Sequence, residues 1–249
     1  MTASPQKRRR QAFVSIINFK IQIVMKRLSI LFLVIAAILT GCGDSGIKDK
    51  LSQQKLETGV VINGVTWATR NVDAPGTFAE SPESPGMFYQ WGKKVGWNCT
   101  NPPSNTQGGS DWDYSYMPGT AWQSENNPCP PGWRVPTERE LNTLLDDNAI
   151  EQEWVTVNGV KGCYFTDNIS GNGIFLPAAG VFKVYGGAAF YFEARDLSFR
   201  FAGYEGLYWV DGGTGRDPGT RASLELLPYR AGKTHVREVY GASVRCVAE

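Results

Sequence analysis

From residue 59 onward the chain alternates short apolar stretches with glycine-rich turns. "VVINGVTWATRNV" opens the pattern. Asn63-Gly64 sits between two β-branched runs, which predicts a tight hairpin. "MFYQWG" predicts a short strand. "EWVTVNG" and "VKGCYFTD" form a second hairpin around Asn158-Gly159. "GIFLPAAGVF", "AAFYFEA", "GLYWVDG", "RASLELL", "THVREVY" and "ASVRCVAE" follow as further strands between turn residues. Helical periodicity occurs once in this part. Thr137 followed by Glu140 is a capping box, and Leu141, Leu144 and Leu145 fall on one face of the helix it would start. The order of elements contains no βαβ alternation, no heptad and no internal repeat. The pattern therefore predicts one α+β domain over residues 59–249, built mainly of antiparallel twisted sheets with one capped helix.

Between Lys93 and Asn127 the pattern breaks. Gly, Pro, Asn, Ser and Asp dominate, interleaved with Trp97, Trp112, Tyr114, Tyr116 and Trp122. Flat rings among hydrogen-bonding residues suit a sugar, whose C–H faces stack on aromatics. They equally suit a protein interface, where Trp and Tyr are favoured anchors. Packing of the loop onto the core is the structural alternative. These five residues are the candidate ligand contacts, because loops on a rigid scaffold are where recognition usually sits.

The N-terminal pattern is different. Residues 1–41 hold seven of the 25 Lys/Arg and none of the 24 Asp/Glu, so the remainder carries 18 basic against 24 acidic residues, a net of −6. A mildly acidic body argues against a nucleic-acid partner. Lys26 and Arg27 precede an apolar run from Ile30 to Leu39, too short to span a bilayer but suited to a secretory signal. The run ends in Leu39-Thr40-Gly41-Cys42, which resembles the bacterial lipobox. That resemblance implies a signal peptide over 25–41, acylation of Cys42, a polar tether over 42–58, and a cell-envelope, lipid-anchored product, expected at the outer membrane. Residues 1–24 then read as an extension upstream of a start at Met25.

With Cys42 taken by lipid, Cys99, Cys129, Cys163 and Cys246 are left in an exported domain, where disulfides persist. No two have the C-x-x-C spacing of a zinc or redox site. His235 is the single histidine, so a His-rich metal site is excluded and no metal site is expected. In its expected strand beside Arg237 it reads as an ordinary surface or edge residue. "DWDYS" at 111–115 and "DGGTGRD" at 211–217 are oxygen-rich loops of the kind that can hold calcium, though neither matches an EF-hand. No other cofactor is expected. Glu193, Asp196 and Asp211 are available carboxylates for a hydrolase, but nothing in the sequence pairs them.

"NPCPPGWRVPTERE" at 127–140, "LPAAG" at 176–180, "GLYWV" at 206–210 and "GASVRCV" at 241–247 occur in this order, and together they resemble the Fibrobacter succinogenes major paralogous domain, common in Bacteroidetes lipoproteins. Arg134-Val135-Pro136-Thr137-Glu138-x-Glu140 is also similar to the signature of the formylglycine-generating enzyme group, with Leu141 where both patterns prefer Trp. The resemblance implies a C-type-lectin-like architecture and a Cys129–Cys246 disulfide, with Cys99 and Cys163 as the remaining pair. It carries little chemistry: the copper-holding cysteine pair of those enzymes and the calcium motifs of sugar-binding C-type lectins are not matched. The resulting expectation is a non-enzymatic binding domain for a glycan or surface protein. The alternatives are an assembly component of a surface appendage, and a hydrolase or oxidase on the same scaffold.

Overall fold

The structure, a computed structural model, describes residues 59–185, 196–215 and 217–249. The expected signal peptide, Cys42, the tether, Glu193 and the "AAFYFEA" stretch lie outside the described residues. Among those described, no helix is long and apolar enough to cross a membrane.

Among the described residues, fourteen strands and one α-helix appear in chain order. β1 (Val60–Ile62) and β2 (Val65–Trp67) make the first hairpin, with Asn63 and Gly64 at φ 44° and 80°. Those left-handed values are what a two-residue turn between twisted strands needs, and Asn-Gly reaches them at little cost. β3 (Phe88–Tyr89) and β4 (Gly96–Trp97) form a small hairpin, so part of the expected loop region is strand. β5 (Trp133–Arg134) leads into α1 (Glu138–Leu144). β6 (Ile150–Val157), β7 (Val160–Asp167) and β8 (Gly173–Pro177) form an antiparallel sheet, turning first at Asn158-Gly159. β9 (Val181–Tyr185) pairs with β10 (Asp196–Arg200). β11 (Gly206–Thr214), β12 (Thr220–Leu227) and β13 (Arg230–Arg237) form a second three-stranded meander. β14 (Val247–Ala248) inserts between β2 and β5, which makes a four-stranded sheet of order β1-β2-β14-β5 and ties the end of the domain to its beginning. The architecture is mostly antiparallel strands in several small sheets with one short helix, and it is not a barrel.

β11 and β12 run through the middle. Tyr208 and Val210 of β11, with Ala222, Leu224 and Leu226 of β12, face a core shared with Leu141, Leu144, Ile150, Cys163 and Phe165. Leu207 and Trp209 face the opposite way, into a second core with Tyr89, Trp91, Trp133, Val135 and Cys246. A strand buried on both faces reads as a continuous apolar run, and "LYWV" is such a run. A third cluster joins Phe88, Trp97, Trp112, Phe182 and Val184.

Two expectations change. "GIFLPAAGVF" is two strands, because Ala178 O accepts from Gly203 N and Gly180 N donates to Glu205 O, which diverts the chain at Gly180. "ASVRCVAE" is mostly irregular backbone that still bonds to its neighbours: Ser243 exchanges bonds with Leu207 and Trp209, and Val244 and Cys246 carbonyls receive Val72 N and Ala68 N.

Candidate functional site

The four ordered motifs converge on scaffolding. Cys129 and Cys246 form a disulfide that joins the approach to α1 to the last strand. Thr137 caps α1 by accepting from Glu140 N, while the Glu140 carboxylate accepts from Thr137 N at 2.8 Å and from both Arg134 guanidinium nitrogens at 2.8 and 2.7 Å. Burial opposes the charged form of Glu140, but Arg134 and the Thr137 donors overcome it and hold the carboxyl at about 2. Tyr208 Oη donates to Pro177 O at 2.6 Å, and Trp209 Nε1 to Tyr89 O at 2.6 Å. The buried Arg245 guanidinium donates to Asn71 Oδ1, Ala68 O and Phe175 O. These motif residues are therefore spent on bonds within the scaffold.

The long loop is a pinned strap. Trp97, Trp112 and Trp122 are 2%, 7% and 8% exposed, so the expectation that these rings face a ligand is corrected: they are pegs driven into the second and third cores. Trp97 and Trp112 stack at 4.7 Å, and Trp122 meets Trp91 edge-on at 5.8 Å. Trp112 Nε1 donates to Val239 O, and Trp122 Nε1 to Asn126 O. Burying an indole with its N–H satisfied is strongly favourable, which is why an otherwise polar loop holds its course. Tyr114 is half-buried against the third core. Tyr116 is 57% exposed. Of the five candidate aromatics, Tyr116 alone turns most of its ring to solvent.

Tyr116 is firmly seated. The strap beside it is held by Met117 N donating to Glu238 Oε1 at 2.8 Å and by Arg221 donating to Gly119 O at 2.9 Å. Arg221 and Glu238 form a buried ion pair at 2.8 Å, and the guanidinium also lies over the Trp91 ring at 4.3 Å. Lys93 Nζ reaches Asp113 at 2.7 Å and Ser115 O at 3.0 Å. Asp211 Oδ1 accepts Trp122 N. Beneath the ring lies Gly219, at φ +74°, where a Cβ would run into Tyr116 Cε1. Glycine is needed there twice over, for the left-handed backbone and for the close approach. The result is a solvent-facing phenol seated over the β11–β12 turn, next to Ser115 and the end of β13.

Both oxygen-rich loops are engaged in this strap. Asp113 pairs with Lys93 and accepts Ser115 N, and Asp211 holds Trp122. Asp211 is thus a strap pin, and Asp196 belongs to β10. His235 is exposed on β13, an outer strand of its sheet, as the sequence suggests.

The second expected disulfide is not formed. Cys163 and Cys99 are free thiols, one buried and one exposed. Cys163 points from β7 into the first core, whereas Cys99 follows β4 on the outer surface, on the side of the third cluster. Burial pushes the Cys163 thiol up to about 12, which keeps it protonated.

A family model described as the Fibrobacter succinogenes major domain matches residues 60–248. The chain belongs to this family. No curated protein and no solved structure matches it. The Fibrobacter succinogenes major domain match spans all four motifs. It assigns no chemistry to the Tyr116 face. Sequence reasoning picks out Tyr116 within a set of five, and misses Arg221, Glu238 and Gly219. A signal for Arg221 was present: in "TRASLELL" it sits inside a strand whose other residues, Glu225 apart, are apolar or small. Its partner Glu238 is seventeen positions away, and only the fold brings the two together.

Proposed function

We propose that this chain is a cell-envelope lipoprotein, acylated at Cys42 and anchored to the outer membrane, that presents a non-enzymatic, C-type-lectin-like domain for recognition of a glycan or a surface protein. The observation that carries this reading is the fixed, outward-facing Tyr116 on its glycine seat, braced by a buried ion pair. A rigid aromatic platform binds with little loss of conformational entropy, since its ring is already ordered before a ligand arrives. Exposed Ser115, its neighbour in the chain, supplies a polar group of the kind that orients a ligand stacked on a ring. The motif residues that could be taken for an active site are bonded into the scaffold instead, which favours recognition over catalysis.

Two measurements test this. Mass spectrometry of the processed protein is expected to find a diacyl or triacyl modification on an N-terminal Cys42; an unmodified product starting elsewhere would overturn the lipoprotein reading. A glycan array and envelope-protein cross-linking, run in parallel on wild type and Tyr116→Ala, are expected to show a ligand that the variant loses.

A further inference from the structure

We propose that the outer edge of β13 is a docking site for an extended, acidic segment of a partner protein, which joins β11-β12-β13 as a fourth strand. This rests on the reading of the Tyr116 face as a recognition surface and names its partner.

β13 is eight residues long and lies at the edge of its sheet. Leu227 and Arg230 face each other across the two-residue turn Pro228-Tyr229, so they exchange ladder bonds and set the alternation along the strand. The same alternation holds at the far end, where Glu238 N donates to Gly219 O. Even-numbered residues of β13 therefore bond inward to β12. The N–H groups of Ala231, Lys233, His235 and Arg237 point outward, and no described backbone carbonyl receives them. Among outward carbonyls, that of Arg237 is taken by Tyr240 N. An uncommitted row of this length is a template for strand addition.

The side chains choose the partner. Lys233, His235 and Arg237 are exposed and share one face of the strand. Lys233 is paired with Glu138 at 2.5 Å, while no described carboxylate lies in ion-pair range of Arg237 or His235. A second copy of β13 laid alongside would set cation against cation, which is unfavourable across a strand pair. An incoming strand with acidic residues at alternate positions would meet them with opposite charge. The edge is also continuous with the candidate face: Arg237 is opposite Thr220, next to the Gly219 seat of Tyr116, and a Cβ at Gly215 would lie 3.1 Å from that of His235.

Amide hydrogen exchange on the full-length chain tests the proposal. The probes are an eight-residue peptide alternating glutamate and valine, and the same peptide with lysine for glutamate. Without peptide, the Ala231, Lys233, His235 and Arg237 amides are expected to exchange fast while Gly232, Thr234 and Val236 are protected. The acidic peptide is expected to protect all four, and the basic peptide to bind at least about tenfold more weakly. His235→Pro removes one outward donor and no ladder bond, and is expected to abolish the protection. If that variant does not fold, His235→Glu with Arg237→Glu is expected to reverse the peptide preference. Protection of the four amides before peptide is added, no protection by the acidic peptide, or equal binding of both peptides would overturn the proposal. The two readings fail separately. Protection that survives Tyr116→Ala upholds the edge and removes Tyr116 from peptide recognition. Ligand binding that is lost in Tyr116→Ala, with β13 never protected, removes the edge alone.

Discussion

Glu140→Gln isolates the contribution of one charge to the capped entry of α1. The wild-type carboxylate receives Arg134 at two atoms and Thr137 at its N–H and hydroxyl. Glutamine keeps one carbonyl oxygen for the Thr137 N–H but loses the two-point ion pair. The carboxyl is depressed from 4.5 to about 2 in the fold. At ~1.4 kcal/mol per unit, that displacement sets a ceiling of ~3 kcal/mol. The Arg134 side chain is 38% exposed, so water screens the pair. With that discount the expected cost is about 1–2 kcal/mol at neutral pH. Because the folded value lies below the unfolded one, the stabilisation is fully present above pH ~4.5 and is lost as pH falls toward about 2. Urea unfolding of wild type and variant at pH 7, 4 and 3 reads this directly. The gap between the two curves is expected to shrink as pH falls, because the glutamine does not titrate. A gap that is constant from pH 7 to 3 would refute the charge-based account and leave only altered packing.

Cys129→Ser is expected to cost ~2–5 kcal/mol, since it opens a loop that spans 117 residues of sequence; reduction without denaturant should lower the melting temperature comparably. Timed alkylation with mass spectrometry is expected to label Cys99 quickly in the folded protein and Cys163 only on unfolding, and equal labelling rates would contradict the buried, protonated thiol on β7. Gly219→Ala is expected to weaken ligand binding about as much as loss of the Tyr116 ring, because the new methyl displaces that ring, and calorimetric titration would show it.

What could be read from the chain alone was chiefly local chemistry. Asn63-Gly64 and Asn158-Gly159 specify their turns through left-handed backbone, and Thr137 with Glu140 specifies a helix start, so all three appear where expected. The break between β8 and β9 could not be read, because it is imposed by Gly203 and Glu205, more than twenty residues downstream. The loop tryptophans misled for a related reason. An indole among Asn, Ser and Asp has the same local appearance whether it awaits a ligand or pegs a strap to a core, and only the partners Val239, Trp91 and Phe182 decide. The Cys99–Cys163 pair failed because an even count of thiols says nothing about where each one sits, Cys163 inside a core and Cys99 on the surface.

The central claim is that recognition lies at Tyr116 and not at the buried rings of the same loop. Binding and melting temperature measured side by side on Tyr116→Ala and Trp112→Ala test it most directly. Tyr116→Ala is expected to lose ~1 kcal/mol or more of binding at a nearly unchanged melting temperature. Trp112→Ala is expected to lose ~3–5 kcal/mol of stability, as a truncated core aromatic does. A Tyr116→Ala variant that binds as tightly as wild type, or a Trp112→Ala variant that melts normally and loses the ligand, would contradict the account.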